Sequence, residues 1–416
     1  MHNPFKILLF DGSFKTTAFI NRLAKGLAEK HEVYILGFNE ELKQKVNGVH
    51  YVPLGSNQSK VRFVKTSLGY ALKSGSIKKI ASTIKSLFQG NRPHLQEQNL
   101  RHVLNTINPD IIHLQWPSLL RWCEPYLYQN KYKIILSQRG SQTNITPFTD
   151  RNSFEYLSVW YPKITGFHSV SKAIVENGDK IWNGDNKLNK VIYTGLQLQD
   201  FSFKQEYKVS TPIQLLSIGR THWVKGYDYA LQTCRILKEK NFPFHYTIVG
   251  GAGDEELQFL ISDLGLENEV NLIGRVSQKE VFSMMGEASL LLMPSVEEGV
   301  PNVAVEAMAL GLPVLSTDCG GVPELIENNV EGWVVPIRDP EAMAEGVMRF
   351  SEFTLEEVEA VRLAARRKVE IQHSEEGMIE GMEELYREAI GKQKVENRTK
   401  SEVLSSKVFG NLNINK

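Results

Sequence analysis

Residues Pro294 to Val314 read PSVEEGVPNVAVEAMALGLPV. Just ahead, Leu290 to Met293 is a short apolar run suited to a buried strand. The chain then crosses a loop holding Glu298, Gly299 and Pro301 and enters a helix near Asn302 that ends before Gly311 and Pro313. Strand, glycine-bearing loop and helix make one βα unit of a parallel sheet. Free backbone N–H groups of Gly299 to Val303, a segment that includes Val300, Pro301 and Asn302, would point outward at a helix N-terminus and form a ready anion site. Glu298 lies just before that nest and Glu306 inside the helix, so both carboxylates can face one ligand, and a carboxylate is a good bidentate acceptor for adjacent sugar hydroxyls. The alternative is that Glu298 is a solvated loop residue and Glu306 merely complements the helix dipole.

The same unit repeats along the chain. In the N-terminal half the candidate strands are Lys6 to Phe10, Val33 to Leu36, Val49 to Pro53, Ile111 to Leu114, Ile134 to Ser137, Ile164 to His168 and Val191 to Tyr193. The pattern restarts with Ile213 to Ile218, Tyr246 to Val249, Val270 to Ile273, Leu290 to Met293, Val314 to Ser316 and Trp333 to Val335. At 416 residues the chain exceeds what one core usually serves. The expectation is an α/β protein of two doubly wound domains, residues 1–205 and 206–372, joined by a polar linker over 196–212 and facing a central cleft. Residues 391–416, rich in Lys, Asn and Ser without periodicity, are expected to be a disordered tail.

Three further segments carry chemistry. Ser217 to Tyr227, SIGRTHWVKGY, places Arg220 and Lys225 after a strand, and two fixed cations there suit a departing diphosphate. The alternative is an exposed basic pair near a turn. Ile248 to Glu256, IVGGAGDEE, is a tight glycine turn around Gly251 that lacks the third glycine of a dinucleotide fingerprint. Asn271 to Val276, NLIGRV, is a strand followed by Gly and Arg, where exposed backbone at Arg275 and Val276 could pair with a base.

The order GR…KG, VGGAGD, LIGRV, EGVPNVAVEAMALGLPV and GGVPELI resembles the family 4 glycosyltransferases of the GT-B fold, over most of Ile213 to Ile390. The resemblance implies a retaining transferase with two Rossmann-like domains. It implies that Arg220 and Lys225 hold the donor diphosphate, Glu298 contacts the donor sugar, Glu306 binds the ribose hydroxyls, and backbone near Arg275 and Val276 recognises the base. It also implies that the helix over 373–390 crosses back onto the N-terminal domain.

The N-terminal half matches less closely. FDGSFKTT, Phe10 to Thr17, stands where the family has a glycine-rich loop facing the donor, with only Gly12 where a pair is usual. The family often carries a histidine followed by glycine after the strand corresponding to Ile134 to Ser137. Here the chain reads Ser137-Gln138-Arg139-Gly140, which leaves that role to Arg139, to His113 in IIHLQWP, or to neither. From Leu42 to Gln96 there is no Asp or Glu, against Lys43, Lys45, Lys60, Arg62, Lys65, Lys73, Lys78, Lys79, Lys85 and Arg92. Within that stretch Ile77, Ile80, Ala81, Ile84, Leu87 and Phe88 follow helical spacing with the lysines off their face. Such a stripe is more often core, and the charges a solvated surface; the functional alternative is attraction to anionic lipid.

Composition narrows the classes. With 42% hydrophobic and 23% charged residues and zero formal net charge, the chain is an ordinary globular one with no overall bias toward nucleic acid. The opening apolar run is too short for a signal-peptide core, and the three cysteines fit neither a disulfide framework nor a zinc site. A cytoplasmic enzyme is expected, or one at the inner face of the membrane. No Asp-x-Asp occurs and no ligand cluster has metal spacing, so neither a metal nor a cofactor is expected, the nucleotide-sugar being substrate. The expected function is sugar transfer from a UDP- or GDP-sugar to a glycan or lipid-linked acceptor, in polysaccharide or glycolipid biosynthesis. The rivals are a nucleotide-sugar epimerase on the same fold and a non-catalytic two-domain sugar-binding protein.

Overall fold

The computed structural model describes residues 4–42, 45–129 and 131–391; the segment expected as a tail, 391–416, lies outside them from residue 392 on. The strands are β1 (Lys6–Ser13), β2 (Glu32–Asn39), β3 (Val49–Pro53), β4 (Ile111–Leu114), β5 (Lys133–Gln138), β6 (Gly166–Ser169), β7 (Asn189–Val191), β8 (Ile213–Ile218), β9 (Phe244–Val249), β10 (Val270–Ile273), β11 (Leu290–Met293), β12 (Val314–Thr317) and β13 (Trp333–Val335). They form a seven-stranded sheet in the order β3-β2-β1-β4-β5-β6-β7 and a six-stranded sheet in the order β10-β9-β8-β11-β12-β13. The strand pairs between neighbours are parallel. Helices cover both faces of such a sheet, so its central strands are apolar throughout rather than alternating. The fully buried runs Ile111–Leu114, Leu290–Met293 and Val314–Thr317 show this.

Both orders reverse direction once, between β1 and β4 and between β8 and β11. Loops leaving the two strands at such a switch point diverge to opposite faces and leave room for a ligand beyond their carboxyl ends.

The chain divides into two compact units. One comprises the described residues of Met1–Ser169, Gly178–Ile192 and those from Ile379 on; the other comprises Val170–Asn177 and Tyr193–Met378. The sequence reading set the boundary at 205/206. Residues before that point join the second unit because the backbone holds them there: Leu196 N–H bonds His373 O at 2.7 Å, and Lys204 N–H bonds Leu310 O at 3.0 Å. The helix over 375–391 belongs mainly to the first unit. Glu383 there is 3.2 Å from Lys30, and Lys190 lies 2.9 Å from Glu384 and 2.7 Å from Glu388.

Each unit has its own core. In the first, Leu8, Phe10, Leu36, Ile112, Ile134 and Phe167 meet the helices. In the second, Leu215, Leu231, Ile248, Leu290 and Leu292 form one layer, and Leu216, Leu291, Ala304, Ala307 and Met308 the other.

Candidate active site

In the second unit the loops after β8 and β11 flank the switch point, and the structure ties them together. Lys225 Nζ donates to Glu298 Oε1 at 2.5 Å, and Ser295 Oγ donates to the same oxygen at 3.0 Å. The Lys225 and Glu298 side chains are only 20% and 15% exposed, so water screens the pair weakly. Backbone reinforces the link, Val296 N–H donating to Val224 O at 2.8 Å. Gly226, at φ 63°, is required here because a Cβ would stand 2.0 Å from Pro294 O. Glu298 is therefore no free loop residue.

The helix Asn302–Leu310 begins after Pro301 with no side chain capping its first turn, leaving N–H groups for another acceptor. Glu306 is half-buried in that helix and has an interaction partner. The loop carrying Glu298, Gly299 and Val300 is held from below by Gly320 and Gly321. A Cβ on Gly320 would come 1.9 Å from Glu298 O, and one on Gly321 1.8 Å from Gly299 O. Gly321 N–H also bonds Glu298 O at 3.2 Å. Gly320-Gly321 served in the sequence only as part of a family pattern; that carbonyl contact is its physical reason.

Arg220 is exposed after Gly219, and its charge and that of Lys225 both bear on His222, whose pKa is lowered by burial first and then by these two cations. Tyr227 contributes a buried hydroxyl without a hydrogen-bond partner among the described residues, beneath Gly219. Burial and nearby Glu298 both raise its pKa, so it stays protonated and able to donate. The sequence held this tyrosine in a quoted segment without assigning it a role. Gly251 follows β9, and neighbouring Gly250, at φ 100°, lets the chain pass where a Cβ would stand 2.2 Å from Gly219 O. Arg275 is exposed and Val276 half-buried in the loop after β10.

Glu324 of GGVPELI has a different task. Its carboxylate accepts Lys172 N–H at 2.9 Å, Ala173 N–H at 3.0 Å and the Tyr193 hydroxyl at 2.8 Å, capping the start of the helix Lys172–Ile181.

In the first unit Gly12 lies near the end of β1 at φ 79°, and Asp11 beside it accepts the Trp116 indole N–H at 2.7 Å. Burial pushes the Asp11 carboxyl up to about 6, against the opposing pull of Trp116 and Arg139. Behind them runs a buried relay. His168 Nε2 meets Ile192 O at 3.0 Å, and a carbonyl only accepts, so that nitrogen carries the proton. His168 Nδ1 then accepts from Ser137 Oγ at 2.9 Å, Ser137 accepts from His113 Nε2 at 2.8 Å, and His113 Nδ1 accepts from the Tyr386 hydroxyl at 2.7 Å. Burial, His168 and Arg139 all hold His113 well below the usual imidazole range.

His113, one of the two catalytic candidates of this unit, is fully buried with both ring nitrogens bonded, to Tyr386 and Ser137. Arg139 is 7% exposed, bonds Gln115 and Ser137 at 3.0 Å each, and stacks 3.9 Å over Phe19. Its Nε has no partner among the described residues. Among those residues no group of three His, Cys, Asp or Glu side chains could hold a metal ion, and no helix is long and apolar enough to cross a membrane.

Two parallel Rossmann-like units, one with a cation–carboxylate pair and an open helix start at its switch point, define a GT-B-type protein. Residues 199–368 match the family described as Glycosyl transferases group 1. The amylovoran biosynthesis glycosyltransferase AmsK of Erwinia amylovora is 39% identical over 196 residues, covering 45% of this chain and 48% of that protein. The putative colanic acid biosynthesis glycosyltransferase WcaL of Escherichia coli is 36% identical over 248 residues, covering 56% and 60%. The chain thus aligns with about half to three-fifths of these relatives' length. Among solved structures, a glycosyltransferase from Rickettsia africae aligns with TM-score 0.71 at 18% identity, covering 94% of this chain and 99% of that one. Anabaena Alr3699/HepE in complex with UDP and glucose aligns with TM-score 0.68 at 18% identity, covering 91% and 98%. At these identities the likeness is one of fold.

Proposed function

We propose that the protein is a retaining glycosyltransferase that moves a sugar from a nucleoside-diphosphate donor to a glycan or lipid-linked acceptor during polysaccharide or glycolipid assembly. The observation that carries this reading is the Lys225–Glu298 pair, seated at the β8/β11 switch point beside the open start of the helix Asn302–Leu310. In it the second unit holds the donor. Arg220 and Lys225 balance the departing diphosphate, backbone at Gly299 to Val303 takes phosphate oxygens, and Glu306 holds the ribose. Glu298 faces the sugar as it gains positive charge. Gly251, Arg275 and Val276 border the base. Configuration is kept through attack on the face the diphosphate leaves, a phosphate oxygen taking the acceptor's proton, with no metal required. The match of residues 199–368 to a glycosyltransferase family and the polysaccharide-building names of AmsK and WcaL support the assignment.

The first unit takes the acceptor in this reading, with Gly12 and Arg139 at its own switch point. The basic stretch faces an anionic membrane surface. In the helix Ile77–Phe88 only Thr83 and Ser86 are buried, while Ile77 is 83% and Phe88 90% exposed. Val61 and Leu72 of the helix Lys60–Lys73 are exposed too. The stripe that more often packs into a core is on the outside here, and exposed apolar side chains among lysines suit a lipid headgroup layer.

The test is nucleoside diphosphate release from UDP- and GDP-sugars with and without a lipid-linked glycan extract. Release that depends on the extract, with sugar appearing on it, is expected. Sugar epimerised without acceptor would replace the assignment with an epimerase.

A further inference from the structure

A cavity of about 330 Å³ opens among the helices Lys60–Lys73, Ile77–Phe88 and Arg92–Ile107 of the first unit. It is separate from the switch-point residues, and its volume falls in the range of small-molecule sites, about 300–1,000 Å³. Its chemistry is of one kind. Lys79 and Arg101 supply positive charge, Ser74, Thr83, His102 and Asn105 supply donors, and no Asp or Glu lines it. Lys131 adds a cation nearby through its 3.1 Å bond to Asn105. His102 reports the same field: burial first, then Lys79 and Lys73, lower its pKa. Its ring also packs on Tyr70 at 5.0 Å, which fixes that wall.

A concave site with cations, hydroxyls and amides but no carboxylate favours a compact anion rich in acceptor oxygens. It opens within the helices that carry the exposed apolar side chains and the acid-free basic run from Leu42 to Gln96. We propose that this cavity binds a phosphate ester, the Lys79 ammonium and Arg101 guanidinium holding its oxygens. The ester is either the headgroup of a membrane lipid or the phosphate of a soluble molecule. The first source deepens the membrane-facing reading of the basic stretch and rests on it; the second does not.

The experiment uses the full chain with phosphatidylcholine vesicles containing either phosphatidic acid or oleate, adjusted to equal surface potential. A phosphate site makes the wild type prefer phosphatidic acid, by about fivefold or more, roughly what one basic contact near a surface is worth. Lys79→Gln with Arg101→Gln should abolish the preference, and Lys79→Arg with Arg101→Lys should keep it at an unchanged melting temperature. Lys60→Gln with Lys65→Gln, the same charge change outside the cavity, should weaken both vesicle types alike and leave the ratio intact. Equal binding of both vesicle types by the wild type, or loss of preference in the Lys60/Lys65 variant, excludes the lipid headgroup as the source while leaving the membrane reading standing, and calorimetric titration with inorganic phosphate then decides for the cavity. If neither vesicle binds, the membrane reading fails and calorimetric titration with inorganic phosphate decides for the cavity. Binding lost in the Lys79/Arg101 Gln variant then supports it with a soluble source, and no binding to wild type overturns it.

Discussion

Replacing Glu298 by Gln tests the candidate site most directly, because this carboxylate is the counter-ion of Lys225 in the structure and the group facing the sugar in the proposed function, two roles that respond differently. Glu298 is the counter-ion of Lys225 at 2.5 Å and accepts from Ser295 at 3.0 Å, mostly shielded from water. A hydrogen bond involving a charged group contributes about 1.5–3 kcal/mol net, and Gln keeps a neutral acceptor in place, so a loss of about 1–2 kcal/mol of stability is expected. For a unit of this size that lowers the melting temperature by roughly 2–8 °C. The same change frees Lys225 for the diphosphate. Nucleoside diphosphate affinity should therefore rise, by up to about tenfold, since about 1.4 kcal/mol of competition is removed. Turnover should move the other way. If Glu298 faces the sugar while positive charge develops, its loss costs transition-state stabilisation of about 2.7 kcal/mol, or roughly 10²-fold in kcat. Calorimetry with UDP and GDP, thermal unfolding and donor kinetics read the three quantities separately. A coupling energy from the cycle with Lys225→Met, in the range of about 0.5–3 kcal/mol, checks that the pair is the cause. Unchanged kcat together with unchanged melting would refute the reasoning, and weaker nucleotide binding would place Glu298 on the ribose instead.

Glu306→Gln should act mainly on binding, raising donor KM and lowering UDP or GDP affinity with kcat nearly intact; a collapse of kcat at constant affinity would exchange the two glutamates. Arg220→Ala and Lys225→Ala should each lower kcat on the order of 10²-fold or more, as loss of charge balance at a leaving group does, and near-wild-type turnover in either would misplace the diphosphate. Activity should persist in EDTA if, as proposed, Arg220 and Lys225 balance the diphosphate in place of a metal; activity abolished by EDTA and restored by magnesium or manganese would contradict this. Asp11, pushed up to about 6, keeps its proton to higher pH in the fold than in the unfolded chain. The stability it gives is full below about pH 4 and lost as pH rises through about 6, at most roughly 3 kcal/mol. Asp11→Asn should flatten that part of the urea-denaturation pH profile, and an unchanged profile would show that the carboxyl titrates normally.

The strands were legible because parallel strands buried on both faces are near-continuous apolar runs, and Val49–Pro53, Ile111–Leu114 and Leu290–Met293 have the expected bounds. Where the bounds slip, apolar residues serve something other than the ladder. Ile164 and Thr165 precede β6, Thr165 N–H bonding Ile134 O at 3.0 Å while its hydroxyl accepts from Ile134 N–H at 3.1 Å. Tyr193 lies past β7, and its hydroxyl donates to Glu324. The motif residues of the second unit were legible because glycine, proline and charge at fixed offsets after a strand have few physical uses. Their partners were not. Lys225 and Glu298 are 73 positions apart, and only the β8–β11 neighbourhood brings their loops together.

The first unit shows the limit most plainly. Histidine in IIHLQWP and arginine in SQRG were equal candidates, since each follows or ends a buried strand. What separates them is the direction of a side chain relative to the sheet, which alternates with register and is invisible without the pairing. His113 pairs in register with Ile135 on β5 and turns into the layer where Tyr386 and Ser137 wait, so its nitrogens are consumed by the fold. Arg139 lies one residue beyond β5, past the last ladder position, where the same serine and Gln115 hold one of its terminal nitrogens and Phe19 covers its face. The relay from Tyr386 to Ile192 therefore orients Ser137, Ser137 orients Arg139, and the guanidinium is left with an unpartnered Nε at the end of the strand next to β4. A buried cation with donor capacity to spare is costly unless something accepts from it. Under the proposed function, that cost, rather than its place in the sequence, favours Arg139 over His113 as the group of this unit to meet the acceptor.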